Sequence, residues 1–154
     1  MIRLGVVSLS AYPVFVPEST RKFGGSEVQL GRLCRAVAAH EGWRVELLTS
    51  GEGDYCQREV DGVLIRKLPW SPQSGALAKG RLALALRGEI ARTAPDLFLQ
   101  RCLGIETGMV GLWCKRKKRP FIYMTASDWD CDGTYDRQRP AAVTRNPRRW
   151  RSCR

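Results

Sequence analysis

Phe23-Gly24-Gly25-Ser26-Glu27 is the stretch that decides the fold, because it joins a hydrophobic strand to an amphipathic helix. Upstream, residues 2–9 are mostly apolar and contain no proline, which is typical of a buried strand. Ser26 followed three residues later by Gln29 predicts a capping box at the helix start. The apolar residues downstream follow a helical spacing, namely Leu30, Leu33, Cys34, Val37 and Ala38.

The glycine pair Gly24-Gly25 permits two interpretations. A turn lined by glycine at a helix N-terminus leaves backbone N–H groups accessible, and it lets a ligand come close to the main chain. Such a turn suits an anion such as a phosphate. The same two glycines also fit a tight turn with no ligand, because short glycine motifs recur by chance.

The length and composition indicate one globular domain followed by a basic tail. The chain has 154 residues, of which 44% are hydrophobic, and a formal net charge of +11. Residues 137–154 hold seven arginines and no acid, so they carry +7 and leave +4 for the remainder. A second basic cluster, residues 115–119, ends a predicted helix, where cations complement the helix dipole.

Cysteine spacing and hydropathy favour a reduced protein in the cytoplasm. The six cysteines form no C-x-x-C pair and no zinc-finger spacing. Residues 2–9 lack a charged preceding segment and a cleavage pattern, so no signal peptide is predicted. No apolar run reaches the roughly 18 residues that a membrane span requires.

Strand and helix patterns alternate along the chain, which predicts an α/β fold with a parallel sheet. Apolar strands are predicted at residues 2–9, 45–49, 64–68, 97–100 and 121–125, and Asp61-Gly62 predicts a hairpin turn before the third. We expect a single Rossmann-like domain with strand order 3-2-1-4-5. The carboxyl ends of the strands would bring four segments to one edge: 10–27, 49–53, 101–106 and 125–132.

This series of motifs resembles a known family, the family 4-like GT-B glycosyltransferases. The resemblance rests on the strand Gly5-Val6-Val7-Ser8, the glycine loop with its helix, and the segment Gly42 to Thr49. Asp61-Gly62-Val63 and Pro95-Asp96-Leu97 also fit. The likeness covers residues 1–136, as the N-terminal half of a GT-B fold, and leaves residues 137–154 as a basic tail expected to be disordered.

The resemblance implies retaining transfer of a sugar from a nucleotide-sugar donor to an acceptor. In this family the N-terminal domain shapes the acceptor site, and its glycine loop approaches the donor diphosphate. That role would fall here to Gly24, Gly25, Ser26 and Glu27. A second domain holds most donor contacts. The chain is therefore expected to be truncated and inactive alone, with a separately encoded C-terminal domain as partner. The nucleotide-sugar is the substrate, and no metal or other cofactor is expected.

Two further polar residues are candidates at the same edge. Arg101 ends the fourth predicted strand, where it could bind an anionic substrate group or form a salt bridge with Glu106 or Asp128. Relatives often place a histidine soon after the fifth strand, and this chain has residues 124–130 there instead. Asp128 is the candidate catalytic residue in that neighbourhood.

The acidic segment Asp128-Trp129-Asp130-Cys131-Asp132-Gly133 allows other interpretations. It matches the first half of a calcium loop, but the twelfth position is Arg139 where calcium needs a glutamate. It also contains the Asp-x-Asp pattern that holds a divalent ion in the other glycosyltransferase fold. A polar loop without a ligand fits it equally, and no metal site is predicted.

Two other functions stay open. The chain could be a non-catalytic Rossmann-type module that binds a nucleotide or a partner. Its arginine-rich tail could instead bind an anionic surface. Peripheral contact with the inner face of a membrane is therefore the alternative to a fully cytoplasmic protein. The tail contains no stacking or groove-reading module, so specific nucleic-acid binding is not expected.

Overall fold

The fold is an α/β sandwich built on one six-stranded sheet. A computed structural model describes residues 1–52, 56–68, 76–101 and 104–125. The strands are β1 (Ile2–Val7), β2 (Trp43–Ser50), β3 (Gln57–Val60), β4 (Val63–Leu68), β5 (Leu97–Arg101) and β6 (Phe121–Met124). The helices are α1 (Tyr12–Phe15), α2 (Gly25–Ala38), α3 (Ala76–Thr93) and α4 (Ile105–Lys117).

The sheet order is β3-β4-β2-β1-β5-β6, with β1 at its centre. Residue Val6 of β1 is in register with Leu47 of β2 on one side and Leu99 of β5 on the other. All neighbours are parallel except β3 and β4. The five parallel strands follow the predicted order 3-2-1-4-5, and the α/β class is confirmed.

The order differs from the prediction in one detail, the additional antiparallel strand β3 at the edge of the sheet. Asp61 and Gly62 form the turn between β3 and β4 with φ of 51° and 76°. Positive φ at both central residues is the geometry of a type I′ hairpin, so the predicted Asp-Gly turn is confirmed. Residues 57–59 are exposed and polar, and they lack the apolar alternation by which a strand is predicted.

Both faces of the central strand β1 are buried. Its side chains are apolar at successive positions, and helices pack on each face of the sheet. Val6 packs with Leu30 and Cys34 of α2 on one face. Val7 packs with residues of α3 and α4 on the other, among them Ile90 and Val110. Each fully buried aliphatic side chain contributes roughly 1.5–3 kcal/mol relative to exposure. This burial holds the helices in place and fixes where α2 and α4 begin relative to the strand ends.

The start of α2 differs from its prediction. The helix begins at Gly25 with Gly24 as N-cap, so Ser26 lies within the first turn and the predicted Ser26–Gln29 capping box is wrong. Glu27 supplies the capping contact instead, since its Oε2 accepts the Gly24 N–H at 2.9 Å. A carboxylate is favoured there because it faces the positive end of the helix dipole.

Arg35, near the end of α2, ties that helix to two other parts of the fold. Its Nε donates to Asp61 Oδ2 in the hairpin turn at 2.7 Å, and its Nη2 donates to the carbonyl of Val14 in α1 at 3.1 Å. The guanidinium also lies over the ring of Phe15, 4.6 Å from its centroid. One side chain therefore links α1, α2 and the β3–β4 hairpin.

Several predictions lie outside the described residues. These are the acidic segment 128–132 with its candidate Asp128, and the basic tail 137–154. Within the described parts of the chain, no helix is both long and apolar enough to cross a membrane.

Candidate functional site

A cleft of about 340 Å³ opens where the carboxyl ends of β1, β2 and β5 meet the first turn of α2. Parallel strands carry their loops to this edge, which is where ligands bind in open α/β sheets. The cleft is lined by Ser8, Leu9, Ser10, Arg21, Ser26, Glu27, Leu30, Ser50, Leu82, Arg101 and Glu106. The structure thus brings together three of the predicted site residues, Ser26, Glu27 and Arg101.

Glu27 is held by three hydrogen-bond donors. Ser10 Oγ donates to its Oε1 at 2.8 Å, while Ser26 Oγ and the Gly24 N–H donate to its Oε2 at 2.8 and 2.9 Å. Burial by itself would raise the pKa of Glu27, but the hydrogen bonds from Ser10, Ser26 and backbone N–H groups outweigh it and lower the pKa. The carboxylate is therefore ionised at neutral pH, and it fixes the glycine turn.

The N–H groups of Gly25 and Ser26 point out of the first turn of α2. Within the described residues neither N–H forms a hydrogen bond, as is usual at the start of a helix. A Cβ added at Gly25 would meet nothing within 4 Å, so the space on the Cα side of this residue is open. These two donors and the helix dipole make the turn suitable for an anion.

Arg21 joins the ends of two strands at the cleft. Its Nη1 donates to the carbonyl of Ser50, which ends β2, and its Nη2 donates to the carbonyl of Leu9 at 3.4 Å. Burial lowers the pKa of Arg21, against the opposing effect of Glu52. The guanidinium is an additional cation that sequence reasoning did not single out, because a lone arginine in a long loop gives no motif.

Arg101 and Glu106 line the same cleft without pairing. No ion pair joins them, and within the described residues the buried Nε of Arg101 has no hydrogen-bond partner. The predicted alternative of an Arg101–Glu106 salt bridge is therefore wrong, while the alternative with Asp128 lies outside the described residues. Burial raises the pKa of Glu106, with its own backbone N–H as the opposing influence.

The first turn of α4 positions Glu106 by close packing against Gly104. A Cβ at Gly104 would collide with both carboxylate oxygens of Glu106, so a larger residue at position 104 would displace this flexible side chain from its present position. Thr107 caps the helix, since its Oγ1 accepts the Gly104 N–H at 3.1 Å and the Gln100 Nε2 at 2.9 Å. Gln100 belongs to β5, and this bond ties the helix start to the strand.

The cleft has the features of a site for anions and hydroxyl groups. In the parts of the chain that the structure describes, no three His, Cys, Asp or Glu side chains are grouped so that they could hold a metal ion. The donors available are the guanidinium of Arg101, the hydroxyls of Ser8 and Ser50, and the N–H groups of Gly25 and Ser26 in the first turn of α2. They suit phosphate and hydroxyl groups.

Fold and cleft together define a Rossmann-like domain of the GT-B glycosyltransferase type. Residues 24–152 match the family model of the glycosyl transferase 4-like domain. The chain belongs to this family. The expected membership in the family 4-like GT-B group is thereby confirmed.

A solved structure supports the fold. Sucrose-phosphate synthase from Thermosynechococcus elongatus superimposes with a TM-score of 0.54 at 17% identity, over 84% of this chain and 37% of that chain. A second structure of that enzyme matches with a TM-score of 0.47 at 15% identity, over 84% of this chain and 66% of that one. The chain therefore spans little more than a third of the length of the first match. No curated protein sequence matches it significantly.

Proposed function

We propose that this chain supplies the N-terminal, acceptor-side domain of a glycosyltransferase that moves a sugar from a nucleotide-sugar donor to an acceptor. A second domain, carried on another chain or on further sequence, provides most donor contacts. The observation that carries the proposal is that Arg101, Arg21 and Ser26 line one cleft at the first turn of α2. Within the described residues the N–H groups of Gly25 and Ser26 in that turn have no hydrogen-bond partner.

The chemical role of this edge is to stabilise the departing nucleoside diphosphate. Negative charge accumulates on the diphosphate as the sugar bond breaks, and donors that are already oriented stabilise it without reorganisation. The N–H groups of Gly25 and Ser26 are such donors, and Arg101 adds a cation whose Nε is unpaired within the described residues.

Glu27 serves this role indirectly. Its carboxylate is ionised, so it would repel a phosphate at close range. It accepts hydrogen bonds from the Gly24 N–H and from the hydroxyls of Ser10 and Ser26. Holding these groups sets the position of the glycine turn, and leaves the next two N–H groups for the ligand. Glu27 is therefore a positioning residue, and Gly24 provides the close approach.

The test is a calorimetric titration of the purified chain with UDP, GDP and their sugar conjugates, alone and with a separately expressed C-terminal domain. We expect binding that weakens about tenfold or more in Arg101→Ala, because a charge-assisted hydrogen bond contributes about 1.5–3 kcal/mol. Arg32→Ala is the matched control, since Arg32 is exposed on α2 and lies away from the cleft. Absence of binding and of transfer in both settings would rule out the enzymatic proposal.

Binding without transfer, even with the second domain present, would favour the alternative of a non-catalytic nucleotide-binding module. The same titration therefore separates the two functions. The cleft supports either, because both need an anion site at the carboxyl edge of the sheet.

We also propose peripheral contact with an anionic membrane through the end of α4. Lys115, Arg116 and Lys117 are exposed there, beside a groove of about 630 Å³ between α3 and α4. Leu112, 49% exposed, and Trp113 line that groove. Cations flanking apolar side chains complement an anionic lipid surface.

Cosedimentation with phosphatidylglycerol vesicles tests this contact, with phosphatidylcholine vesicles as the control. Binding should be sensitive to salt and should fall in Lys115→Glu/Lys117→Glu, whereas deletion of residues 140–154 separates the contribution of the tail. Equal binding by the double variant and the parent chain would contradict a role for α4.

A further inference from the structure

The two acidic side chains of the cleft, Glu27 and Glu106, are in opposite situations. Glu27 accepts hydrogen bonds from three neighbouring groups. Glu106 has only its own backbone N–H, and within the described residues no cation lies within 4 Å of its carboxylate. Glu106 is nevertheless partly buried on the cleft wall.

A partly buried carboxylate whose one donor is its own backbone N–H is costly, because it has lost water and gained little in return. Arg101 lines the same cleft and could have neutralised it, yet the two groups do not pair. Gly104 has no side chain at the point where the carboxylate of Glu106 is seated. The local structure therefore presents this carboxylate to the cleft rather than to another side chain.

The chemistry that fits is a pair of adjacent hydroxyl groups. The two oxygens of a carboxylate accept hydrogen bonds, and a vicinal diol offers two O–H donors at matching separation. Leu9 and Leu82 supply apolar surface on the same cleft, against which the carbon face of a sugar ring can pack. The volume of about 340 Å³ lies at the small end of the range of small-molecule pockets, roughly 300–1,000 Å³.

We propose that Glu106 recognises a vicinal diol of a sugar in this cleft and so determines part of the substrate specificity. The inference rests on the proposed glycosyltransferase function and names the substrate class of the same cleft. The cations and N–H groups hold the diphosphate, and Glu106 holds the hydroxyls. Such a diol belongs to the transferred sugar of the donor, to the ribose of its nucleotide or to a sugar acceptor.

The experiment measures sugar binding to the full chain by ligand-observed NMR. The probes are methyl α-D-glucopyranoside, methyl α-D-mannopyranoside and myo-inositol, with cyclohexanol as the ring that lacks a diol. We expect at least one probe to bind, with affinity about tenfold lower in Glu106→Gln, because a neutral amide is a weaker acceptor than a carboxylate. Glu41→Gln, at an exposed position outside the cleft, should bind like the parent chain.

A parallel titration with UDP and UDP-glucose separates the sources of the diol and the two proposals. A diol on the transferred sugar predicts that Glu106→Gln weakens the binding of UDP-glucose but not of UDP, and a diol on the ribose predicts that it weakens the binding of both. An acceptor diol predicts that it weakens only the binding of the free sugars. UDP binding with no Glu106-dependent sugar binding in either arm overturns this inference and leaves the proposed function in place. Glu106-dependent sugar binding without any UDP binding supports this inference and contradicts the proposed function.

Discussion

Ser10 and Glu27 are joined by a hydrogen bond of 2.8 Å between the serine Oγ and the carboxylate Oε1, across 17 residues of sequence. Ser10 follows the central strand β1, and Glu27 lies in the first turn of α2. The bond fixes the long connection between them at the point where the glycine turn faces the cleft. The conformation of this turn therefore depends on a side chain that stands before the loop as well as on the glycines.

Replacing Glu27 by Gln should destabilise the fold at neutral pH by about 1 kcal/mol, the usual value of a capping contact. Hydrogen bonds lower the pKa of Glu27 in the folded state, so its stabilising effect is present above the unfolded pKa. It is lost as the pH falls through the folded pKa. Urea denaturation at neutral and acidic pH measures the difference, with Glu41→Gln as control; a difference that grew at acidic pH would contradict this assignment.

Replacing Glu106 by Gln should have the opposite effect on stability. Burial raises the pKa of Glu106, so the folded state holds its proton more tightly than the unfolded chain does. Its contribution to stability then falls as the pH rises from the unfolded pKa through the folded pKa. Glu106→Gln should be more stable than the parent chain at neutral pH in the absence of ligand, as measured by thermal unfolding. A loss of stability would show that the carboxylate has a partner in the folded chain.

Replacing Arg21 by Ala should destabilise the fold by about 1–3 kcal/mol. The guanidinium donates to the carbonyls of Ser50 and Leu9, and its removal leaves these acceptors without a charged donor. Arg21→Lys should recover only part of the loss, because an ammonium cannot span both carbonyls as a planar guanidinium does. Urea midpoints of the three proteins provide the measurement, and equal midpoints for alanine and arginine would refute the bridging role.

Replacing Gly5 by Ala should destabilise the sheet by about 1–3 kcal/mol, the usual cost of overpacking. A Cβ at Gly5 would lie 2.6 Å from Cε1 of Phe98 and 2.7 Å from Cγ of Pro95, within the packed face of the central strand. Gly88 of α3 is the matched control, because a Cβ there meets nothing within 4 Å and alanine favours the helix. Gly88→Ala should therefore leave stability unchanged or raise it by up to about 1 kcal/mol.

Alkylation of the thiols should distinguish buried from exposed cysteines. Burial raises the pKa of Cys34 to about 12 and that of Cys114 to about 11, so both are protonated and shielded at neutral pH. Cys56 is exposed. Iodoacetamide followed by peptide mass spectrometry should label Cys56 in the native protein, and Cys34 and Cys114 only after denaturation.

The fold was largely predictable because its strands are apolar on both faces and its turns carry strong local signals. Asp61-Gly62 is such a signal, and the structure has the turn where the sequence predicts it. The strand β3 was not predictable from periodicity, since it lies at the edge and exposes Gln57, Arg58 and Glu59. Pairing with β4, rather than its own pattern, makes it a strand.

The site was less predictable than the fold. Arg101 and Ser26 line one cleft, as predicted from the rule that ligands bind at the carboxyl ends of parallel strands. This rule depends only on strand direction, which the sequence pattern indicates. The sequence predicts a capping box of Ser26 and Gln29 at the start of α2, whereas Gly24 and Glu27 form the cap. The sequence does not distinguish these two overlapping patterns. The role of Arg21 depends on carbonyl groups that come together only in the folded chain.

Arg35 restrains the C-terminal end of α2. Its bonds to Asp61 and Val14 and its contact with Phe15 clamp the helix to the hairpin and to α1. A helix restrained in this way cannot tilt freely relative to the sheet. The far end of α2 is thus anchored to the rest of the fold, and the helix acts as a fixed support for the glycine turn at its other end.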